Sequence, residues 1–170
     1  QPDVIQSFLN DAAHVPGGFA SGVAFPTRAS EVAALVSGAA HVLPIGAQSS
    51  LTGGATPRGD VVISTRALDR MSVLSADTVR VGAGVSLSAL QRALAVSGLY
   101  YPPAPTYDGA FIGGTIATNA AGAATFKYGS TRRWGEALTV VLADGSLIEV
   151  RRGEVTASSE GWFEIERALG

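Results

Sequence analysis

The sequence has no cysteine, which removes disulfides, thiolate metal ligands and cysteine nucleophiles from the possible chemistry. Charge is scarce too. Charged residues make up 15% of the 170 and the net charge is −2, so no global field draws in nucleic acid or anionic lipid. Any anion this chain binds must be held by local groups. No run reaches the roughly 20 consecutive apolar residues of a membrane span, because Gly, Ser or a charge interrupts each one. The two histidines, His14 and His41, stand alone; His41 opens a strand without a partner His or carboxylate at metal-ligand spacing, and no metal site is expected. The start, Gln1-Pro2-Asp3, has neither an initiator Met nor a basic, apolar signal segment, and reads as a trimmed N-terminus.

What is present is apolar and rich in turns. Hydrophobic residues make up 46%, with 21 glycines and eight prolines, too many for a helical bundle and suited to tight turns and close backbone approaches. A chain of this length forms one ordinary domain or two small lobes sharing a core. The stretch "SEVAALVSGA" predicts a helix capped by Ser30, with Val32, Leu35 and Val36 on one face. Strands are predicted at 41–45 and 61–64. "MSVLSADTVRVGAG" predicts a hairpin turning at Ser75-Ala76-Asp77. A second helix runs from a Ser86 cap to Gly98, with Leu87, Leu90 and Leu94 along one side. Pro102, Pro103 and Pro105 impose extended backbone after it. "ALTVVLADGSLIEVRRG" predicts a further hairpin with a type I′ turn at Asp144-Gly145. Residues 109–132 show no usable period, and the chain after Gly153 is unassigned.

Two segments carry the chemical signal. "PIGAQSSLTGG" (44–54) follows an apolar strand and holds three glycines, three hydroxyls and no charge. Such a loop can present backbone N–H groups as a concave nest for phosphate oxygens, although taken alone it reads equally well as an ordinary surface loop. "GGTIATNAAG" (113–122) sets Thr115, Thr118 and Asn119 among glycines and alanines, a surface for something flat and partly apolar; the competing reading is a buried helix–sheet contact. Neither segment is a Walker A loop, since no Lys followed by Ser or Thr stands in the right place. "VGAGVSLSAL" imitates a dinucleotide fingerprint, but Leu87 occupies the third glycine position and prolines stand where an acidic ribose ligand belongs. It reads as a tight strand-to-helix turn. Tyr100, Tyr101 and Tyr107 can stack on a ring or fill core. Arg132-Arg133 and Arg151-Arg152 read as solvated faces, and neither Glu164 nor Glu166 is assigned a catalytic role.

The ordered set "PIGAQSSLTGG", "VRVGAGVSLSALQRAL", "GLYYPPAPT", "IGGTIATNAAG" and "KYGSTRRWGEALTVVLADG" closely resembles the FAD-binding domain of the vanillyl-alcohol oxidase / p-cresol methylhydroxylase flavoprotein superfamily. Within it, the resemblance is nearest to the glycolate oxidase subunit and D-lactate dehydrogenase group. It covers about Phe25 to Glu154. The implied fold is α+β and two-lobed: a small α/β lobe over 1–70, and a second lobe over 71–170 with a mostly antiparallel sheet flanked by helices. The resemblance implies that the loop from Ile45 wraps the FAD pyrophosphate through Gly46, Ala47, Gln48, Ser49, Ser50, Thr52 and Gly53. Pro103, Thr106, Gly113 and Gly114 would line the rest of the cofactor with Thr118, Asn119 and Gly122, while Tyr128 and Gly129 close the same side.

The implied activity is oxidation of a small-molecule 2-hydroxy acid, of D-lactate or glycolate type, by hydride transfer to flavin. The alternatives are the FAD- and NADPH-dependent reductase of cell-wall precursor synthesis, and a flavin-binding module without chemistry. Some relatives attach FAD covalently through a loop His or a later Cys. Here Gln48 and Ser49 occupy the loop and no Cys exists, so non-covalent FAD is expected. The family continues with a "GSEGTLG"-like stretch and a substrate or cap domain, so this chain is expected to be part of a longer polypeptide, or one half of a nicked one. Its partners would be the remainder of that polypeptide or a second chain, plus an unidentified electron acceptor, with no nucleic acid. The catalytic base would lie outside this chain. The expected location is the cytoplasm, with peripheral attachment to the inner membrane as the variant.

Overall fold

The computed structural model describes residues 2–103 and 105–165; Glu166 lies outside them. A short helix α1 (Pro2–Gln6) opens the chain, followed by β1 (Gly22–Ala24), α2 (Ala29–Gly38), β2 (Val42–Ile45) and β3 (Val61–Ser64). These strands form one parallel sheet in the order β1-β3-β2, in a register that sets Val23 and Leu43 on either side of Val62. The central strand is the apolar run Val61-Val62-Ile63. Val62, Ile63 and Ser64 are buried, as expected of a parallel strand covered on both faces. One face is covered by the N-terminal segment: Phe8 packs with Ile45 and Val62, and Val4, Ala20 and Leu43 close the cluster.

Helix α2 is not capped by Ser30, which lies inside it. The N-cap position is Arg28, without a side-chain cap. Glu31 instead reaches back, its carboxylate accepting from the Thr27 amide at 2.8 Å and the Thr27 hydroxyl at 3.1 Å. Those bonds, the backbone one first, hold the Glu31 carboxyl below its ordinary pKa. A reciprocal acid at the first turn does the work assigned to Ser30.

A 3-10 turn (Thr65–Ala67) leads into the hairpin of β4 (Met71–Val73) and β5 (Val79–Val81), paired antiparallel as predicted. Then comes the crossing that joins the two halves of the chain. Gly82 donates to the Arg70 carbonyl at 2.8 Å and Gly84 to the Leu68 carbonyl at 2.9 Å. A Cβ at either glycine would lie 2.0 Å from a carbonyl oxygen, of Leu68 or Thr65 respectively, so only glycine allows the approach. Helix α3 (Leu87–Ala95) follows, capped by the Ser86 hydroxyl accepting from the Ala89 amide at 3.2 Å. Leu87 and Leu90 bury against Val85, Ala110 and Ile112, and Gly98 ends the helix at φ +69°.

The segment without period contains two short helices, α4 (Ile112–Ala117) and α5 (Thr125–Tyr128), and a 3-10 turn (Thr131–Trp134). The last hairpin pairs β6 (Ala137–Val141) with β7 (Leu147–Arg151). Its turn is not type I′, because Asp144 does not take positive φ. Gly145, at φ +83°, donates to the Leu142 carbonyl, and Leu142 donates to that of Ser146, both at 2.9 Å. This is a three-residue loop ending in a left-handed glycine. Among the described residues the two antiparallel hairpins stay separate, in place of the single antiparallel sheet expected for the second half. The Arg80–Glu149 ion pair at 3.3 Å ties one to the other. No helix among the described residues is long and apolar enough to cross a membrane.

Gly84→Ala is expected to destabilise by about 3 kcal/mol or more, because backbone must move to admit a methyl group. Ser64→Ala is the contrast. Its hydroxyl is buried with no hydrogen-bond partner, so removing it should leave stability unchanged or raise it by up to about 1 kcal/mol. Urea denaturation of the two variants checks both.

Candidate cofactor site

The loop after β2 is shaped from beneath by the N-terminal segment. Gln48 takes the left-handed conformation, φ +55°, which costs a non-glycine residue on the order of 1–2 kcal/mol. Three hydrogen bonds hold it there. Its side-chain amide donates to the Ser7 carbonyl at 2.8 Å and the Asn10 carbonyl at 2.9 Å, and its own carbonyl accepts from Ala12 at 3.0 Å. Asp11, 3% exposed, accepts from the Ala13 amide at 3.0 Å and from the Ala55 amide at 3.2 Å. Both ends of the loop are therefore fixed to residues 7–13. The span between them is left unspent: Ala47, Ser49, Leu51 and Gly54 make no hydrogen bond among the described residues. Ser50 and Thr52 bond only within the loop, hydroxyl to hydroxyl at 3.0 Å and Thr52 amide to Ser50 hydroxyl at 3.2 Å. Left-handed residues at Gln48 and Gly53 turn such amides into a concave donor surface.

The facing wall is the start of α4. A Cβ on Gly46 would lie 3.7 Å from that of Phe111, so the loop and the residue preceding α4 stand side by side. The first amides of α4 are claimed internally: Ile112 donates to Val85 at 2.8 Å and Gly113 to Ala83 at 2.9 Å. Gly113 and Gly114 then differ. A Cβ on Gly113 would lie 2.7 Å from that of Ala83, whereas one on Gly114 would meet nothing within 4 Å. The fold itself requires glycine at 113 and leaves 114 open and exposed.

Beyond Gly114, Thr115 is buried, its hydroxyl donating to the Ile112 carbonyl. Thr118 is exposed but donates back to Gly114 at 2.9 Å. Asn119 sits at φ +46°, and its side-chain oxygen accepts from the Arg132 amide at 2.9 Å, pinning the later turn to the end of α4. Gly122 bridges to Pro105 and donates to the Thr125 hydroxyl at 2.7 Å, which brings Pro105 beside it. Pro103 is buried and Thr106 exposed. Tyr128 and Gly129 stand one helix further on, backed by Trp134, whose indole donates to the Tyr128 carbonyl at 2.9 Å.

Ile45 through Gly53 and the start of α4 thus form one face, open to solvent at Ser49, Leu51 and Thr52. Sequence reasoning missed Asp11, Phe8 and Phe111. The first two lie in a stretch with no period, and only their contacts reveal them. No cluster of His, Cys, Asp or Glu suited to a metal exists among the described residues.

Gln48→Ala should cost about 1–3 kcal/mol, since it drops two hydrogen bonds and keeps the strained φ. Gln48→Gly drops the same bonds but relieves the strain, and should cost about 1 kcal/mol less than Ala. Equal losses in thermal denaturation would show that the left-handed conformation is not a constraint.

Comparison with known proteins gives the family. A family described as "FAD binding domain" matches residues 20–151. D-lactate dehydrogenase of Archaeoglobus fulgidus is 36% identical over 151 residues, 85% of this chain and 34% of that protein. D-2-hydroxyglutarate dehydrogenase of Xanthomonas citri pv. viticola is 37% identical over 145 residues, 81% of this chain and 31% of its own length. Glycolate oxidase subunit GlcD of Bacillus subtilis is 32% identical over 130 residues, covering 74% and 27%. The crystal structure of 6-hydroxy-D-nicotine oxidase from Arthrobacter nicotinovorans superposes with a TM-score of 0.75 at 22% identity, over 88% of this chain and 34% of that one, which establishes the fold. The chain spans about a third of the length of the curated relatives it matches. A family match over most of the chain and relatives above 30% identity place it: the chain belongs to the FAD-binding domains of the vanillyl-alcohol oxidase / p-cresol methylhydroxylase flavoproteins.

Proposed function

We propose that this chain is the FAD-binding portion of an oxidoreductase that oxidises a 2-hydroxy acid of D-lactate or glycolate type. The observation that carries the cofactor assignment is the contrast between Gly113 and Gly114. A mid-helix glycine costs about 1 kcal/mol relative to alanine, and at 114 nothing inside the protein repays it. A ligand lying against the helix does. The unspent amides of Ala47, Ser49, Leu51 and Gly54 fit a pyrophosphate, which an uncharged loop can hold through backbone dipoles.

In this reading Ile45 and Gly46 deliver the loop, and Gln48 and Gly53 set its curvature. Ser49, Ser50 and Thr52 add hydroxyls to the backbone donors. Gln48 and Asn119 contribute through backbone position, since their side chains are committed to Ser7, Asn10 and Arg132. Gly113, Gly114, Thr118 and Gly122 line the middle of the cofactor with Pro103 and Thr106, and Tyr128 and Gly129 close that side. Residues 1–70 and 71–170 act as two lobes meeting at the cofactor. FAD when bound supplies the two-electron acceptor for the alcohol carbon–hydrogen bond. The chain positions it and shields one face from water, while a base outside these residues takes the hydroxyl proton. FAD is held non-covalently, because Gln48 and Ser49 offer no attachment point. The names of the relatives favour a hydroxy acid over an NADPH-linked reductase reaction.

Gly114→Ala tests the assignment. It should raise stability by about 0.5–1 kcal/mol and weaken FAD binding, followed by quenching of flavin fluorescence, by about tenfold or more. A stabilised variant with unchanged FAD affinity would remove Gly114 from the site, and a wild-type chain that takes up no FAD would overturn the reading. In the parent polypeptide, anaerobic bleaching of flavin by D-lactate or glycolate supports the substrate class, whereas bleaching by NADPH alone favours the reductase. Denaturation should release all flavin to the supernatant.

A further inference from the structure

The aromatic group beside α5 has chemistry that a wall does not need. The Tyr100 hydroxyl donates to the Tyr128 hydroxyl at 3.1 Å, with the rings edge-on at 71° and centroids 6.1 Å apart. The Lys127 ammonium lies 4.9 Å from the Tyr128 ring centroid. Tyr128 is anchored directly, and Tyr100 through its neighbour Tyr101. Gln91 clamps the Tyr101 backbone, donating to its carbonyl at 2.6 Å and accepting from its amide at 3.0 Å. Trp134 fixes the Tyr128 carbonyl. The two hydroxyls therefore meet because the segments bearing them are held, not because they attract each other across flexible chain.

The cluster is made of donors. Lys127 forms no ion pair among the described residues. The Tyr128 oxygen accepts from Tyr100, and its own O–H has no acceptor among the described residues. The same surroundings hold the Tyr128 phenol below its ordinary pKa, through the Tyr100 bond first and Lys127 next, and push that of Tyr100 up. Lys127 bears on the Tyr128 oxygen as well, and with no carboxylate paired to Lys127 among the described residues the remaining N–H and O–H donors of the cluster match an oxyanion.

We infer that Tyr100, Lys127 and Tyr128 form a binding site for the carboxylate of a small organic acid. Lys127 supplies the charge, the Tyr128 hydroxyl is the directed donor, and Tyr100 positions Tyr128. Tyr128 also closes the cofactor side in the reading above, so the titration is made without flavin, where a failure of FAD binding and a failure of carboxylate binding are read separately.

The test uses the 170-residue chain with its tyrosines carrying ring carbon-13 labels, observed by NMR. Sodium acetate and sodium D-lactate are titrated against sodium chloride at matched ionic strength. The expected result is a saturable shift of the Tyr128 and Tyr100 ring signals with both carboxylates and none with chloride. Lys127→Met should weaken that binding by about tenfold or more, and Lys127→Arg should largely retain it. Tyr100→Phe should leave a weaker site still reporting through Tyr128. Near-native circular dichroism of each variant separates loss of the site from loss of the fold. No saturable shift in the wild type, or an undiminished one in Lys127→Met, overturns the inference. A response to chloride equal to that to acetate does so as well, because it would show plain screening.

Discussion

Everything in this fold depends on one backbone crossing. Residues 82–85 pass so close beneath the strand-to-turn segment 65–70 that the carbonyls of Thr65 and Leu68 occupy the space where side chains would stand. From the same four residues, Ala83 and Val85 accept the first amides of α4. The crossing is thus bonded on one side to the segment that follows the parallel sheet and on the other to the helix facing the loop. Without it, Gly46 and Phe111 would have no reason to be neighbours. The interaction is backbone against backbone, held by the Gly82–Arg70 and Gly84–Leu68 hydrogen bonds at 2.8 and 2.9 Å.

The loop is the complement of that rigid seam. Its ends are fixed by Gln48 and Asp11, and its middle is left with donors that nothing in the protein uses. Folding alone would not favour this arrangement, since a left-handed Gln48 costs free energy and the exposed amides gain nothing from the protein. Binding does favour it, because a site already curved loses little entropy when an anion arrives. The glycines divide along the same line. Those at 82, 84 and 113 are imposed by packing, and the one at 114 is imposed by nothing inside the chain.

The local rules were legible where local chemistry decides. The apolar run Val61–Ile63 is a buried central strand, Ser86 caps α3, and Gly98 ends it. They failed where a neighbour decides. Ser30 had the right side chain for a cap, but Glu31 reached Thr27 first. Asp144-Gly145 is the favoured pair for a two-residue turn, yet the strand register spends three residues there. The helix at 112–117 carries two glycines and no periodic face, and it forms because Val85 and Ala83 supply acceptors for its first amides. At the site, the sequence motifs marked the loop and the start of α4, which the structure sets side by side at Gly46 and Phe111, but they gave no sign of what the Gln48 side chain does. The structure turns that side chain inward to hold the loop. Asp11 and Phe8 leave no trace in a sequence pattern, since each acts through contacts distant in sequence: Asp11 with Ala55, Phe8 with Ile45 and Val62.

The central claim is that the unspent amides of the loop and the open face of α4 hold one ligand together. Amide NMR of the nitrogen-15-labelled chain during FAD titration tests it most directly. The account predicts the largest shifts at Ala47, Ser49, Leu51, Gly54 and Gly114, moving together along a single binding isotherm, with Gly82 and Gly84 unmoved. Shifts confined to one wall, or spread over residues away from both, would contradict it.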